Sequence, residues 1–483
     1  MKPISSGPFP LPHGLTRRAA LRHAGAGFGM LALADLVARE NSVSGALLAS
    51  PPAPVLPKRK KATRVVFLFM NGGPSQVDTF DPKPLLKKFN GSPYTGEAKV
   101  GSNGRPIGHL MQTPFEFLPR GQSGLPISSL FPNTARFADD LCVIRSMFTD
   151  TAAHASGCLQ MNTGSILIGK PSLGAWVNYG LGTLNDNLPS YVVMTDPRGG
   201  PIGSASNWTA GYMPAQFQGT LFRSTGVPLL DLATPEGVSE KAQRGTLDLL
   251  RSLNQFHMAS HPAENELAAR IESYELAYRM QTSALAAVDI ELETAQTRER
   301  YGLNRAVTAD FGRKCLITRR LLEKGVRFIQ LYSGGGHIED TWDGHNDCVG
   351  NHKLHAAETD QPVAALMEDL KVSGLWDETL IVWGGEFGRT PTSEGLGKPG
   401  RDHDWHGFSM WLAGAGVKGG QAIGSTDELG FKAVEEPVHV SDLHATILHL
   451  MGIDHKKLSY FYQGLDQRLT GVQERQVVTK VFA

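Results

Sequence analysis

Uninterrupted apolar runs, rather than alternating ones, punctuate this chain. Arg64 to Met70, Leu141 to Arg145, Tyr191 to Met194, Val326 to Leu331, Thr379 to Trp383 and Phe408 to Ala413 are short, β-branched or aromatic, and mostly bounded by glycine or polar turns. Runs of this kind predict strands covered on both faces, as in a parallel sheet. Between them lie stretches with helical periodicity. These are Thr151 to Thr163, stopped by Gly164; Pro262 to about Arg298; Val307 to Glu323, after a break at Gly302; His352 to Lys371; and Val440 to Leu450, with Ser441 or Asp442 as its cap. The alternation predicts an α/β fold, a mostly parallel sheet with helices on both faces.

Ahead of the first strand the pattern changes. Thr16-Arg17-Arg18-Ala-Ala-Leu21-Arg22 precedes a mildly apolar run from Ala24 to Ala38, and Ser50 to Pro57 is proline-rich. Paired arginines before a short, weakly hydrophobic segment resemble a twin-arginine export signal. The run is too short, and Asp35 too central, for a transmembrane helix. Residues 1–49 are therefore read as a signal segment, 50–62 as a proline-rich basic linker and 63–483 as a single domain. The expected location is periplasmic or extracellular, with no transmembrane anchor after signal removal. Lys+Arg and Asp+Glu both total 47, so no net charge attracts nucleic acid or an anionic membrane. The four cysteines, Cys142, Cys158, Cys315 and Cys348, lack CxxC spacing and read as buried free thiols, with disulfides the alternative, and not as a zinc site.

Candidate chemistry gathers in the loops after the strands, where open α/β sheets bind ligands. The first loop holds Ser75, Asp78 and Asp81; the second leads to His154; the fourth carries Asp343 and His345; the fifth carries Glu386 and Arg389, then Asp402, His403 and His406. Asp343, His345, Glu386 and His403 are the main expected metal ligands, with His406 and Asp78 as further ones. His154, Arg389 and Ser75 are the catalytic candidates. Blander readings stand beside these. Asp343 suits a helix cap, Arg389 a pair with Glu386, Ser75 a turn, and His444 and His449 ordinary positions on the last helix. Mixed histidine and carboxylate ligation suits zinc, manganese, iron or a calcium-like ion, so the expected cofactor is a divalent metal of open identity.

Three stretches are similar to the alkaline phosphatase and sulfatase superfamily: Asp360 to Glu386, Phe408 to Gly420 and Val440 to Ile453. Gly72 to Pro84, with Gly384-Gly-Glu-Phe-Gly-Arg-Thr-Pro391 and Gly400-Arg-Asp-His403, further resembles an exported bacterial family catalogued as domain of unknown function 1501, within that superfamily. The resemblance implies an alkaline-phosphatase-like fold and a metal-dependent hydrolase of phosphate or sulfate esters. Its substrate would be a small-molecule or glycan ester. The chain departs from sulfatases in having no Cys-x-Pro-Ser-Arg; His154 fills the cysteine position, and Asn71-Gly72 replaces the acidic pair after the first strand. The nucleophile is then water activated by the metal, or His154 itself. The rival reading is a non-catalytic exported binding protein for an anionic ligand such as a sulfated glycan. An isomerase or mutase is a further alternative.

Overall fold

Strand β1 (Arg64–Met70) sends alternate side chains to opposite faces, yet both faces are buried. Val66, Leu68 and Met70 enter one apolar cluster, while Val65, Phe67 and Phe69 enter another. The continuous run in the sequence is therefore two interleaved core faces. In this computed structural model, residues 62–482 are described, except 97–100, 103, 105, 224–228, 230–233, 235, 261–264, 337 and 395–398. The expected signal segment 1–49 and nearly all of the linker 50–62 lie outside the described residues.

Eight more strands join β1 in one sheet among the described residues: β2 (Cys142–Phe148), β3 (Tyr191–Met194), β4 (Thr220–Phe222), β5 (Phe328–Ser333), β6 (Thr379–Gly384), β7 (Phe408–Gly414), β8 (Gln421–Ile423) and β9 (Val438–His439). Their order is β8-β2-β7-β6-β1-β5-β3-β4, with β9 also on β2. All pairings are parallel except those of β7, which runs antiparallel to both β2 and β6. That reversal matters. The residues preceding β7 meet the residues following β1, β5 and β6, so one end of the sheet collects both. The result is a mixed α/β fold with a mostly parallel sheet.

Among the described residues the longer helices are α1 (His154–Thr163), α2 (Leu173–Leu181), α3 (Glu240–Ser260), α4 (Asn265–Val288), α5 (Ala309–Glu323), α6 (Cys348–Val372) and α7 (Val440–Leu450). Helix α1 stops at Gly164, whose φ of +73° is the left-handed C-cap expected there. The single helix expected from Pro262 to Arg298 is instead α4 followed by a shorter helix, Ala295–Arg300, and α3 has no counterpart in the sequence expectation. The cap of α7 also differs. His439 is the N-cap, its ring accepting from the Ser441 amide while Asp442 accepts from the His439 amide. All four cysteines are free and buried. Among the described residues no helix is long and apolar enough to cross a membrane.

Candidate metal centre

Four side chains converge at the carboxyl end of the sheet. His154 opens α1; Asp343 and His345 lie in the loop after β5; His403 starts the two-residue strand His403–Asp404, paired antiparallel with Gly388–Arg389. One ligand atom from each of these four lies within 4.8 Å of the others. Asp343 is buried and the histidines are nearly so, with side chains 12%, 20% and 12% exposed for His154, His345 and His403.

The partners behind the rings fix which nitrogen faces inward. His403 Nδ1 is 2.7 Å from the Ala152 carbonyl, which only accepts, so this nitrogen carries the proton. His345 Nδ1 is 2.6 Å from Glu394 Oε2, and His154 Nδ1 is 2.6 Å from Glu386 Oε1. With each Nδ1–H donated backwards, each Nε2 points to the shared centre. His345 Nε2 and His403 Nε2 stand 2.9 Å apart. Asp343 Oδ1 is 2.9 Å from the former and 3.3 Å from the latter. His154 Nε2, buried and without a hydrogen bond, is 3.1 Å from Asp343 Oδ2. Lone pairs crowded this way repel unless a proton or a metal cation sits among them. Imidazoles backed by carboxylates or a carbonyl are the usual outer arrangement of a metal site. The donor set fits an ion.

Charge in the cluster is finely divided. Burial raises the Asp343 pKa, but Arg389 and then the three histidines outweigh it and hold the carboxyl well below its ordinary value. For His154, burial lowers the pKa while the Asp343 and Glu386 carboxylates overcome this and raise it to about 9. His403 goes the other way, to about 4, through burial foremost, with Arg389 and His154 adding and Asp343 opposing. His403 thus offers a free Nε2, whereas an ion at His154 takes the place of a proton.

Several expected site residues have other partners. Glu386, expected as a ligand, stands behind His154 and also accepts the Gly72 amide, at 2.9 Å and 3.2 Å. Gly72 is obligatory here: its φ is +108°, and a Cβ would fall 2.6 Å from the Asp343 amide nitrogen. Arg389 pairs with Asp343 at 2.6 Å rather than with Glu386. Its other donors reach the carbonyls of Gly72, Gly73 and Arg401, so this fully buried guanidinium is consumed by the protein. Asp78, expected as a further ligand, is neutralised by Arg401 at 2.8 Å. Ser75 is buried and donates to Asp78 at 2.6 Å, which leaves no exposed hydroxyl for a nucleophile. His406 is half exposed and faces Asp404 at 3.5 Å, away from the centre. The sequence reading missed Glu394 and Arg401 and gave His154 a catalytic role, whereas the structure groups its ring with the ligand atoms. The carboxylates three residues before and five residues after Arg389 were the available signal for the backing positions.

The family described as protein of unknown function DUF1501 matches residues 62–482, so the chain belongs to that family. No curated protein matches it. Solved structures similar to it include a TAB5 alkaline phosphatase variant with Mg bound (12% identity, covering 82% of this chain and 99% of that one, TM-score 0.35). Others are the C-terminal periplasmic domain of EcEptC from Escherichia coli in complex with Zn (10%, 84% and 87%, 0.35) and the PsFucS1 sulfatase from Pseudoalteromonas sp. (12%, 88% and 76%, 0.34). Likeness of that degree carries no argument about activity.

Proposed function

With membership of that family as the premise, we propose that this chain is an exported, metal-dependent hydrolase of phosphate or sulfate esters whose ligands are His154, Asp343, His345 and His403. The observation that carries the reading is the inward convergence of three Nε2 atoms on one carboxylate, each ring held from behind. Three imidazoles and one carboxylate suit zinc better than calcium, which prefers oxygen. When bound, the ion would supply a Lewis acid for the ester oxygen and lower the pKa of water for attack. The chain's own contribution is orientation. Glu386, Glu394 and the Ala152 carbonyl set the three rings, and Arg389 sets Asp343. With His154 among the ligands and Ser75 buried, attack falls to water rather than to a side chain.

The test is elemental analysis of purified protein beside His403→Ala, followed by assay of the zinc- and manganese-loaded protein on p-nitrophenyl phosphate and p-nitrophenyl sulfate. About one tightly held ion, lost in the variant, together with ester cleavage supports the proposal. No ion after reconstitution overturns it. An ion without cleavage moves the protein to a second reading, metal-assisted capture of an anionic ligand such as a sulfated glycan. That reading is favoured by Ser75 and Arg389, both consumed by internal contacts. Export rests on Arg17 and Arg18. Changing both to Lys should leave the protein in the cytoplasmic fraction, and unchanged secretion refutes it.

A further inference from the structure

The loops that bear Asp343, His345 and His403 are joined through a single buried residue whose side chain bonds to none of these three. Arg401 is fully buried. Its amide donates to the Gly344 carbonyl at 2.9 Å, between Asp343 and His345 in the chain. Its own carbonyl accepts from Arg389 Nη1 at 3.3 Å, the same nitrogen that holds Asp343 Oδ1 at 2.6 Å. It lies two residues before His403. Its guanidinium is anchored in turn: Nε donates to Asp78 Oδ2 at 2.8 Å, Nη1 to the Thr390 carbonyl at 3.2 Å and Nη2 to the Met111 carbonyl at 3.1 Å. Asp78 is buried, and Ser75 Oγ donates to it at 2.6 Å. A planar, always-charged fork with several donors can lock a backbone in this way, and a lysine ammonium cannot copy it.

We infer that Arg401, held by Asp78, is the positioning residue that sets the spacing of Asp343, His345 and His403 around the metal. The inference rests on the metal reading above. It has a consequence beyond stability, because the pair acts on the ligands through the main chain. Loss of the fork lets the 341–345 loop and the His403 strand drift apart, and affinity falls even while the protein stays folded. Outer partners of metal ligands are typically worth about 10–100-fold in affinity.

The experiment is a zinc titration against a competing chelator on the mature protein at 25 °C, with the thermal midpoint of the metal-free form measured in parallel. Wild type is compared with Arg401→Lys, Asp78→Asn and Arg319→Lys. The last weakens a partly buried pair with Glu293 outside the cluster and shows what destabilisation alone does to affinity. Zinc affinity should fall about 10–100-fold in the first two variants and stay within twofold of wild type in the third. Arg401→Lys and Asp78→Asn proteins that fold and bind zinc as wild type does overturn the inference, whatever their thermal midpoints. If neither folds, the pair is a folding determinant and the inference also fails. Wild-type protein that takes up no metal overturns the metal reading itself and this inference with it.

Discussion

Two polar clusters lie at the end of the sheet, each with buried histidine and aspartate, and they are chemically opposite. In one, His154, His345 and His403 turn Nε2 toward Asp343, and acceptors outnumber donors. In the other, Ser75, Asp78, His352 and Arg401 satisfy each other. The Ser75 amide donates to His352 Nε2 at 2.8 Å, and Asp78 is covered by Arg401 and Ser75. The two histidine environments show the difference. His154 has two carboxylates and is raised to about 9, while His352 is pushed down to about 3 by burial above all. Density of ionisable residues does not mark a site. Unmet valence does, because a buried group with a partner already has its interaction.

The comparison breaks most decisively at Asp343. Asp343→Ala should abolish tight zinc binding, an effect larger than the roughly 10–100-fold expected for any residue behind the ligands. Retained stoichiometric zinc in the folded variant would falsify the assignment. Glu386→Gln comes next. It keeps the shape but weakens the hold on His154 Nδ1, and affinity measured by chelator competition should fall about 10–100-fold. In the self-satisfied cluster, Ser75 lies outside the Arg401–Asp78 pair and should respond in stability instead. Ser75→Ala removes a hydrogen bond to a charged group, about 1.5–3 kcal/mol by urea unfolding, and leaves metal stoichiometry at the wild-type value. Zinc loss there would extend the link between the clusters beyond the Arg401–Asp78 pair.

The most gradual effect is in pH. The pKa of His352 is about 3 in the folded state, below the ordinary 6.5, so the unfolded chain binds the extra proton between these values. Stability from this group is complete above pH 6.5 and is lost as pH falls toward 3, at up to about 1.4 kcal/mol per unit. His444, lowered to about 4 chiefly by burial, adds the same sign over a narrower window. Urea unfolding of His352→Gln between pH 4 and 7 should give a shallower slope than wild type. An equal slope would remove His352 from the acid response.

Much of this was legible beforehand, and the reason is local. β1, β3 and α7 have the bounds that their apolar runs mark, since burial on both faces and helical periodicity are written into consecutive residues. Gly164 ends α1 because a left-handed cap needs only that one residue. Asp343, His345 and His403 were chosen by type and by position after strands, and the structure does bring them together. Other assignments depended on distances between loops hundreds of residues apart. Glu386 and His154 exchanged expected places because the ring reaches the centre and the carboxylate reaches the ring. Asp78 was taken by Arg401, 323 positions away. The reversed direction of β7 brought residues ahead of a strand to the same end as residues that follow other strands. The sequence by itself determined the long buried strands, most of the helices, the family and which loops carry the donors, because these are properties of neighbouring residues; α3 and the short edge strands were not among them. Only the tertiary structure decided which donors face a common point and which cancel one another, because charge compensation is a matter of a few ångström in space.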